Sequence, residues 1–124
     1  MFVESNEAFP IARLAPDTCL VAARGELDAA SAWRLQDALG AAGKTGATRL
    51  VADLAAVTYL DAEALSTLAS CATHINKQGG TLVVVTDDPW LLRLLAAENL
   101  SGLIEVERSL LEVVEGHLRV EAPA

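Results

Sequence analysis

The chain has 124 residues, 52% of them hydrophobic but only 4% aromatic, which indicates one domain with an interior of leucine, valine and alanine. No apolar run approaches the roughly 18 residues of a membrane span, and the first residues lack the pattern of a signal peptide, so we expect a cytoplasmic protein without membrane insertion. The formal net charge of −8 and the lack of a Lys/Arg cluster exclude a typical nucleic-acid binder and favour a basic protein partner.

The first third of the chain predicts two strands and a helix. Residues 1–10 are weakly patterned and expected to be loose or an edge element. Residues 11–14 form a short first strand, and residues 18–24 form a second strand that Gly25 ends. Asp28 has the form of a helix N-cap, because a carboxylate can accept hydrogen bonds from the free N–H groups of a first turn. The buried stripe of the helix that follows is Ala32, Leu35, Leu39 and Ala42.

Trp33 does not belong to that stripe. It lies about 200° round the helix from Leu35, at roughly 100° per residue. Two interpretations stay open: the ring lies over the edge of a neighbouring element, or it is an anchor for a protein partner, since exposed tryptophan is enriched in interfaces.

The centre of the chain predicts a strand–helix–strand crossover. Residues 50–54 form a buried central strand, a turn follows, and Asp61 caps a helix that runs to about Lys77. The glycine pair 79–80 stops this helix, and residues 82–85 form the next buried strand. The inner stripe of the helix is Leu65, Leu68, Ala72 and Ile75.

The last third predicts two further helices around a short strand. Asp88 is an N-cap followed by Pro89 at the first helical position, and that helix ends near Asn99. Residues 103–106 form the last strand, and residues 109–112 have the form of a capping box. The stripe of the final helix is Leu110, Val113, Val114 and Leu118.

Together these elements predict one α/β domain over residues 1–124, with loose ends at 1–10 and 120–124. Strands that alternate with helices favour a mixed, mostly parallel sheet of four to five strands, flanked by about four helices with right-handed crossovers. The first strand is expected to add to the sheet as an antiparallel edge.

The side chains with chemical potential are scattered. His74 and His117 are isolated, Cys19 and Cys71 provide neither a disulfide framework nor metal-ligand spacing, and Ser66 has no histidine or lysine beside it in the pattern. No phosphate-binding loop is present either. We therefore expect no enzyme activity, no metal and no cofactor.

The pattern does indicate one working edge. Asp28 and Asp61 each follow a strand and open a helix, so both are expected at the carboxyl ends of parallel strands, where ligands and partners of open sheets bind. Glu63 would lie in the first turn after Asp61. By position alone it is a surface residue whose charge stabilises the helix by roughly 0.3–1 kcal/mol through the helix dipole.

Four short motifs follow one another in a consistent order: Gly25-Glu26-Leu27-Asp28, Val51-Ala52-Asp53-Leu54, Val57-Thr58-Tyr59-Leu60-Asp61 and Gly79-Gly80-Thr81-Leu82. They resemble the STAS domain of bacterial anti-sigma factor antagonists, from about residue 12 to residue 118. The resemblance implies a small sheet flanked by helices and a protein-binding switch. Such proteins bind an anti-sigma factor, often a serine kinase, and thereby free a sigma factor for transcription.

The chain departs from the family at the switch itself. Family members carry Asp-Ser-Ser/Thr-Gly-Leu, whose serine the kinase phosphorylates, at the start of the second helix. Here the segment reads Asp61-Ala62-Glu63-Ala64-Leu65, so the phosphoacceptor position is Glu63 and cannot be phosphorylated. Ser66 is the nearest hydroxyl and a candidate for a displaced phosphosite, although the helix turns it roughly 300° from Glu63.

Three hypotheses follow for a monomer or weak homodimer. The chain is an unphosphorylatable antagonist regulated by another route, a permanent phosphomimic or decoy, or an accessory or scaffold subunit of another complex such as a transport ATPase. The first is favoured. The residues expected to bind the partner are Asp28, Asp61, Ala62, Glu63, Ala64, Leu65 and Trp33.

Overall fold

A computed structural model describes residues 9–98, 100 and 102–121 of the chain, the last six of these by their backbone alone. The predicted loose ends fall almost wholly outside these residues. The strands of the described part are β1 Ile11–Ala15, β2 Thr18–Leu27, β3 Arg49–Leu60, β4 Thr81–Val85 and β5 Ile104–Glu107. The helices are α1 Ala32–Gly43, α2 Ala62–Lys77, α3 Pro89–Ala97 and α4 Leu110–Glu121.

The strands form a single sheet in the order β1-β2-β3-β4-β5. β1 pairs antiparallel with β2, and every other pair is parallel, which confirms the predicted α/β class and the antiparallel edge. Because each crossover leads to the next strand in the same direction, right-handed connections put α1, α2 and α3 on one face of the sheet. The fourth helix, α4, covers the other face.

The core is divided by the sheet in the same way. Alternate residues of β4 point to opposite faces: Leu82 and Val84 pack with the first three helices, whereas Val83 and Val85 pack with Val113 of α4. All four of these β4 residues are at most 1% exposed, so β4 is covered on both faces, as predicted for a buried strand.

Two strands run well past their predicted ends. β2 continues through Gly25, which adopts φ +78° beside an irregularity in the register, and ends at Leu27. β3 continues to Leu60, so the expected turn before α2 is a strand. Its buried residues Leu54, Val57 and Leu60 are three apart because the register shifts twice, and this spacing hides the strand from a search for alternation.

The predicted start of α1 needs a correction. The N-cap of α1 is Ser31 rather than Asp28. Asp28 instead holds the turn ahead of the helix, where its Oδ1 accepts hydrogen bonds from Ala30 N at 3.0 Å and Ser31 N at 3.1 Å. An Asx turn and an N-cap use the same side-chain chemistry, so the sequence pattern cannot separate them.

The starts of α2 and α3 agree with the prediction, and that of α4 agrees in part. Asp61 caps α2 and Asp88 caps α3, with Pro89 at the first position. Before α4, Ser109 Oγ accepts from Glu112 N at 3.2 Å, but the Glu112 carboxylate accepts from Arg108 N rather than completing the box with Ser109.

The predicted stripes of α1 and α2 are buried in full. That of α4 is wrong at Val114, which is 41% exposed, since Val113 alone is fully buried against the sheet and Leu110 only partly. The side chain of Leu118 lies outside the described residues. α3 ends at Ala97, and the predicted end near Asn99 is itself outside them.

Candidate docking edge

The carboxyl ends of β2 and β3 lie side by side. Leu27 pairs with Leu60, and Asp61 N donates a hydrogen bond to Leu27 O at 3.0 Å. Asp28 and Asp61, which follow these leucines, are therefore brought to one edge of the sheet. This is the juxtaposition that the strand–helix order predicted.

Asp61 forms the start of α2. Its backbone is extended, at φ −98° and ψ −175°, and Oδ1 accepts from Glu63 N at 3.0 Å and from Ala64 N at 3.1 Å. These two bonds satisfy N–H groups that would otherwise lack partners at the end of the helix. The half-buried Asp61 carboxylate is thus used for structure and fixes the direction of the first turn.

That first turn presents some residues and hides others. Ala62 and Glu63 are exposed, whereas Ala64 is 0% and Leu65 is 8% exposed. Glu63 O accepts a bond from Thr67 Oγ1 at 3.0 Å, which occupies the hydroxyl one turn on. Ala62 and Glu63 form the outward surface, and Ala64 and Leu65 can act on a partner only by holding this turn against the core.

Ser31 is a part of the edge that sequence reasoning missed. Its Oγ accepts from Asp28 N at 3.0 Å and lies 2.8 Å from Glu26 O and 3.0 Å from Asp28 Oδ1. A hydroxyl carries one proton, so it donates to one of these two oxygens at a time. The available signal was the Asp28–Ser31 spacing, which places a hydroxyl within reach of the aspartate that opens the turn.

Acidic residues follow three neighbouring strands at this edge. Glu26 is the last residue but one of β2 and Asp28 follows that strand directly, Asp61 and Glu63 follow β3, and Asp87 and Asp88 follow β4. Glu26, Glu63 and Asp87 are exposed, and the aspartates 28, 61 and 88 are half-buried. Such a concentration of like charge attracts a basic surface over about a Debye length. We call this set of residues the acidic edge.

Two groups of exposed aromatic side chains lie near the helix starts. Trp33 is 47% exposed, as its position off the α1 stripe predicted, and the Arg34 guanidinium lies 5.6 Å from its ring. It lines a groove between β1 and α1 together with Phe9 and Ile11. Glu63 is not among the residues that line that groove.

The second aromatic group was not predicted. Tyr59 and Trp90 stack with their ring centroids 5.8 Å apart and their planes 15° apart, and they are 43% and 39% exposed. Tyr59 precedes the α2 cap by two residues and Trp90 follows the α3 cap by two. The only sequence signal was that each aromatic residue is two positions from an N-cap, and that the two N-caps follow adjacent strands.

A groove of about 820 Å³ runs between α1 and α2. Glu63 and Ser66 line it, with Cys71 farther along α2 and Gly40 and Gly43 on α1. Ser66 is exposed there, and burial raises the pKa of the Cys71 thiol above its usual 9.0. A raised pKa keeps the thiol protonated and therefore weakly nucleophilic.

Some classes of site are not found among the described residues. No three His, Cys, Asp or Glu side chains there are grouped so that they could hold a metal ion. None of the helices in the same residues is both long and apolar enough to cross a membrane.

Comparison with known proteins identifies the family. A family model described as Mlab, STAS domain, matches residues 12–112. The chain therefore belongs to the STAS domain family, in agreement with the motifs noted in the sequence. A search of curated proteins finds no match.

Solved structures of anti-sigma factor antagonists share the fold. The unphosphorylated form of SpoIIAA aligns with a TM-score of 0.70 at 12% identity, covering 90% of this chain and 98% of that one. An anti-sigma factor antagonist from Mycobacterium paratuberculosis aligns with a TM-score of 0.75 at 24% identity, covering 89% and 94%. A serine-to-glutamate variant of RsbS from Moorella thermoacetica aligns with a TM-score of 0.70 at 22% identity, covering 90% and 97%.

Proposed function

We propose that this chain is an anti-sigma factor antagonist that binds its partner through the acidic edge without being switched by phosphorylation at residue 63. Binding would sequester the anti-sigma factor and free a sigma factor for transcription. The observation that supports this proposal is the position of Glu63. It is exposed in the first turn of α2, beside the Asp61 cap, where the family resemblance puts the phosphoacceptor serine.

The charge of Glu63 is permanent. A phosphate on serine would add about −1.5 to −2 charges to this surface and could be removed again, whereas a carboxylate carries about one charge and has planar geometry. A partner that binds this chain must therefore accept a negative charge at residue 63 at all times. Regulation then has to act elsewhere, through the abundance of either protein or on the partner.

Glutamate suits the local structure. The N-terminus of a helix favours negative charge through its free N–H groups and its dipole. The RsbS neighbour, which carries a serine-to-glutamate substitution, shares the fold, so a substitution of this kind is compatible with the STAS fold in that protein.

The family match supports a second candidate function. The model that matches this chain is described as Mlab, STAS domain, a description that names no sigma or anti-sigma factor. A protein-binding edge of the same geometry would also serve an accessory subunit of another complex, such as a transport ATPase. The two candidates differ in the partner and not in the surface that binds it.

Affinity capture with the tagged protein, followed by mass spectrometry and calorimetry with each purified candidate partner, distinguishes them. We expect an anti-sigma factor to be recovered and its affinity to change in Glu63→Ser and Asp28→Ala. Glu115→Ser is the matched control, because Glu115 is exposed on α4, which covers the opposite face of the sheet. This variant should bind the anti-sigma factor with the affinity of the wild type. Specific recovery of a transport ATPase subunit, with no binding to anti-sigma factors, would favour the accessory function instead.

Phosphorylation is tested separately. Incubation with candidate anti-sigma kinases and ATP should leave the wild type unlabelled and label Glu63→Ser at residue 63. Label at Ser66 or Thr67 of the wild type would contradict the absence of a phosphorylation switch. Failure of wild-type protein to bind any anti-sigma factor, while Glu63→Ser binds, would identify Glu63 as a permanent phosphomimic.

A further inference from the structure

The Tyr59–Trp90 stack is an exposed aromatic surface that the core does not require. It joins the end of β3 to the first turn of α3, and more than a third of the surface of each residue is exposed to solvent. Aromatic side chains that are kept at a surface in this way are typical anchors of protein interfaces. Its location is within the acidic edge.

Several carboxylates lie near the stack in the sequence and in the sheet register. Glu26 pairs with Tyr59 in the β2–β3 register, and Asp61 follows Tyr59 by two residues. On the α3 side, Asp88 Oδ1 accepts from Trp90 N at 2.8 Å, and Asp87 is exposed next to it. The faces of the rings and the neighbouring carboxylates are both attractive to a cation, so the two effects add at one place.

Trp33 provides the internal comparison. Its ring already has a cation, because the Arg34 guanidinium lies 5.6 Å from the ring centre. This is the one cation–π contact within the part of the chain that the structure describes. Arg93, one turn beyond Trp90 on α3, makes no such contact with the stack. The Trp33 ring therefore already has a cation from the chain itself, whereas the Tyr59–Trp90 stack has none among the described residues.

We propose that Tyr59 and Trp90 are the docking point for an arginine side chain in a basic segment of the protein partner. A guanidinium stacks flat on an aromatic face and at the same time directs N–H groups at carboxylates in its plane, which an ammonium cannot do equally well. The net charge of −8 and the acidic edge provide the complementary field for a segment of this kind. The inference rests on the proposed function, in that this edge binds a protein.

A peptide titration tests the chemistry without the partner. The probe is the acetylated, amidated pentapeptide Gly-Arg-Gly-Arg-Gly, and its control carries citrulline, which is neutral and nearly isosteric, in place of arginine. The chain has two tryptophans, so two indole N–H signals in a nitrogen-15 NMR spectrum report on Trp33 and Trp90 separately. We expect the arginine peptide to shift the Trp90 signal in a salt-sensitive way, with no shift of Trp33 and none from the citrulline peptide.

Variants connect the peptide to the two rings. Trp90→Ala and Tyr59→Ala should each lower the affinity for the arginine peptide about five-fold, which is the effect of losing an exposed cation–π contact. Trp33→Ala should leave its affinity unchanged, and each variant is compared with the wild type by thermal unfolding to confirm its fold. An unmoved Trp90 signal in the wild type, or equal binding of the two peptides, would overturn the proposal.

The partner complex separates this inference from the proposed function. If wild type and Trp90→Ala bind a captured anti-sigma factor equally well, the proposed function stands and the aromatic docking point is wrong. If a partner binds and Trp90→Ala weakens it about five-fold while Trp33→Ala does not, the docking point is confirmed in the complex. If no anti-sigma factor binds, the proposed function fails, and the peptide titration still decides whether the stack recognises arginine.

Discussion

The two ends of α2 are held in different ways. At the amino end, one side chain caps the helix: Asp61 accepts two hydrogen bonds, and the outward residues Ala62 and Glu63 touch solvent. At the carboxyl end backbone hydrogen bonds end the helix and lead into β4: Gly80 N donates to Ile75 O at 2.8 Å, and Thr81 N donates to Thr48 O at 2.8 Å. Backbone bonds tie both ends to the sheet, because Asp61 N also donates to Leu27 O at 3.0 Å. The ends differ in what stops the helix: a side-chain cap at the amino end, which we call the open end, and closely packed glycine backbone at the carboxyl end, which we call the locked end.

Glycine makes the locked end possible. Gly79 adopts φ +83°, in the left-handed region that favours a residue without a Cβ. Gly80 has an ordinary backbone, but a Cβ there would collide with Thr48 O and lie 2.6 Å from Ile75 Cγ1. The two glycines are therefore needed for different reasons, one for its torsion angle and one for space.

This difference indicates where the sequence is free to change. The side chains of Ala62 and Glu63 are exposed and take no part in the buried stripe of α2, so we expect substitutions there to leave the helix in place. We expect a change between serine and glutamate at residue 63 to alter the charge of the acidic edge and to leave the fold intact. Substitutions at the two ends should show this difference in unfolding experiments.

The largest effect is expected from Gly80→Ala. Forcing a methyl group against the Thr48 carbonyl and Ile75 should lower the free energy of unfolding by about 3 kcal/mol. Gly79→Ala is the matched control: nothing lies within 4 Å of its Cβ, so it should cost only about 1 kcal/mol of backbone strain. Urea denaturation monitored by circular dichroism measures both.

If Gly80→Ala is as stable as Gly79→Ala, or more so, then the chain absorbs the methyl group by a small shift and α2 is not locked at this end. The comparison between its two ends would then fail.

A smaller effect is expected at the open end. Asp61→Ala should cost about 1 kcal/mol, the usual contribution of an N-cap, and should speed amide exchange at Glu63 and Ala64. Asp28→Ala should cost about 0.5 kcal/mol, because Asp28 holds a turn ahead of α1 and not the helix itself. If exchange along the whole of α2 rises in Asp61→Ala, the carboxyl end does not hold the helix independently.

Most of the fold was accessible from the sequence because its signals are local. Apolar runs, the helical stripes of α1 and α2, and the caps at Asp61 and Asp88 depend on residues within one or two turns of each other. The errors have local causes as well. The three-residue spacing of Leu54, Val57 and Leu60 conceals the end of β3, and the Asx turn at Asp28 imitates an N-cap.

The candidate site was only partly accessible. The resemblance and the strand–helix order placed Asp28, Asp61 and Glu63 at one edge, and the contacts agree. The Tyr59–Trp90 stack could not be predicted, because its two residues are far apart in the chain and meet only where the extended end of β3 reaches α3. The burial of Ala64 and Leu65, expected as contact residues, likewise depends on which face of the first turn meets the core.

The smallest effect lies midway between the two ends of α2, at Cys71. Burial raises the pKa of this thiol in the folded chain, so as the pH rises past 9.0 the thiol of the unfolded chain ionises first. The contribution of Cys71 to stability is therefore complete below pH 9.0 and declines as the pH rises through the folded pKa. The stability difference between wild type and Cys71→Ala, from urea denaturation between pH 7 and pH 11, should fall over this range by less than either effect at the helix ends. A difference that grows with pH would mean that the groove between α1 and α2 stabilises the thiolate, and that this part of the helix is a polar site like its amino end instead of a continuation of the core.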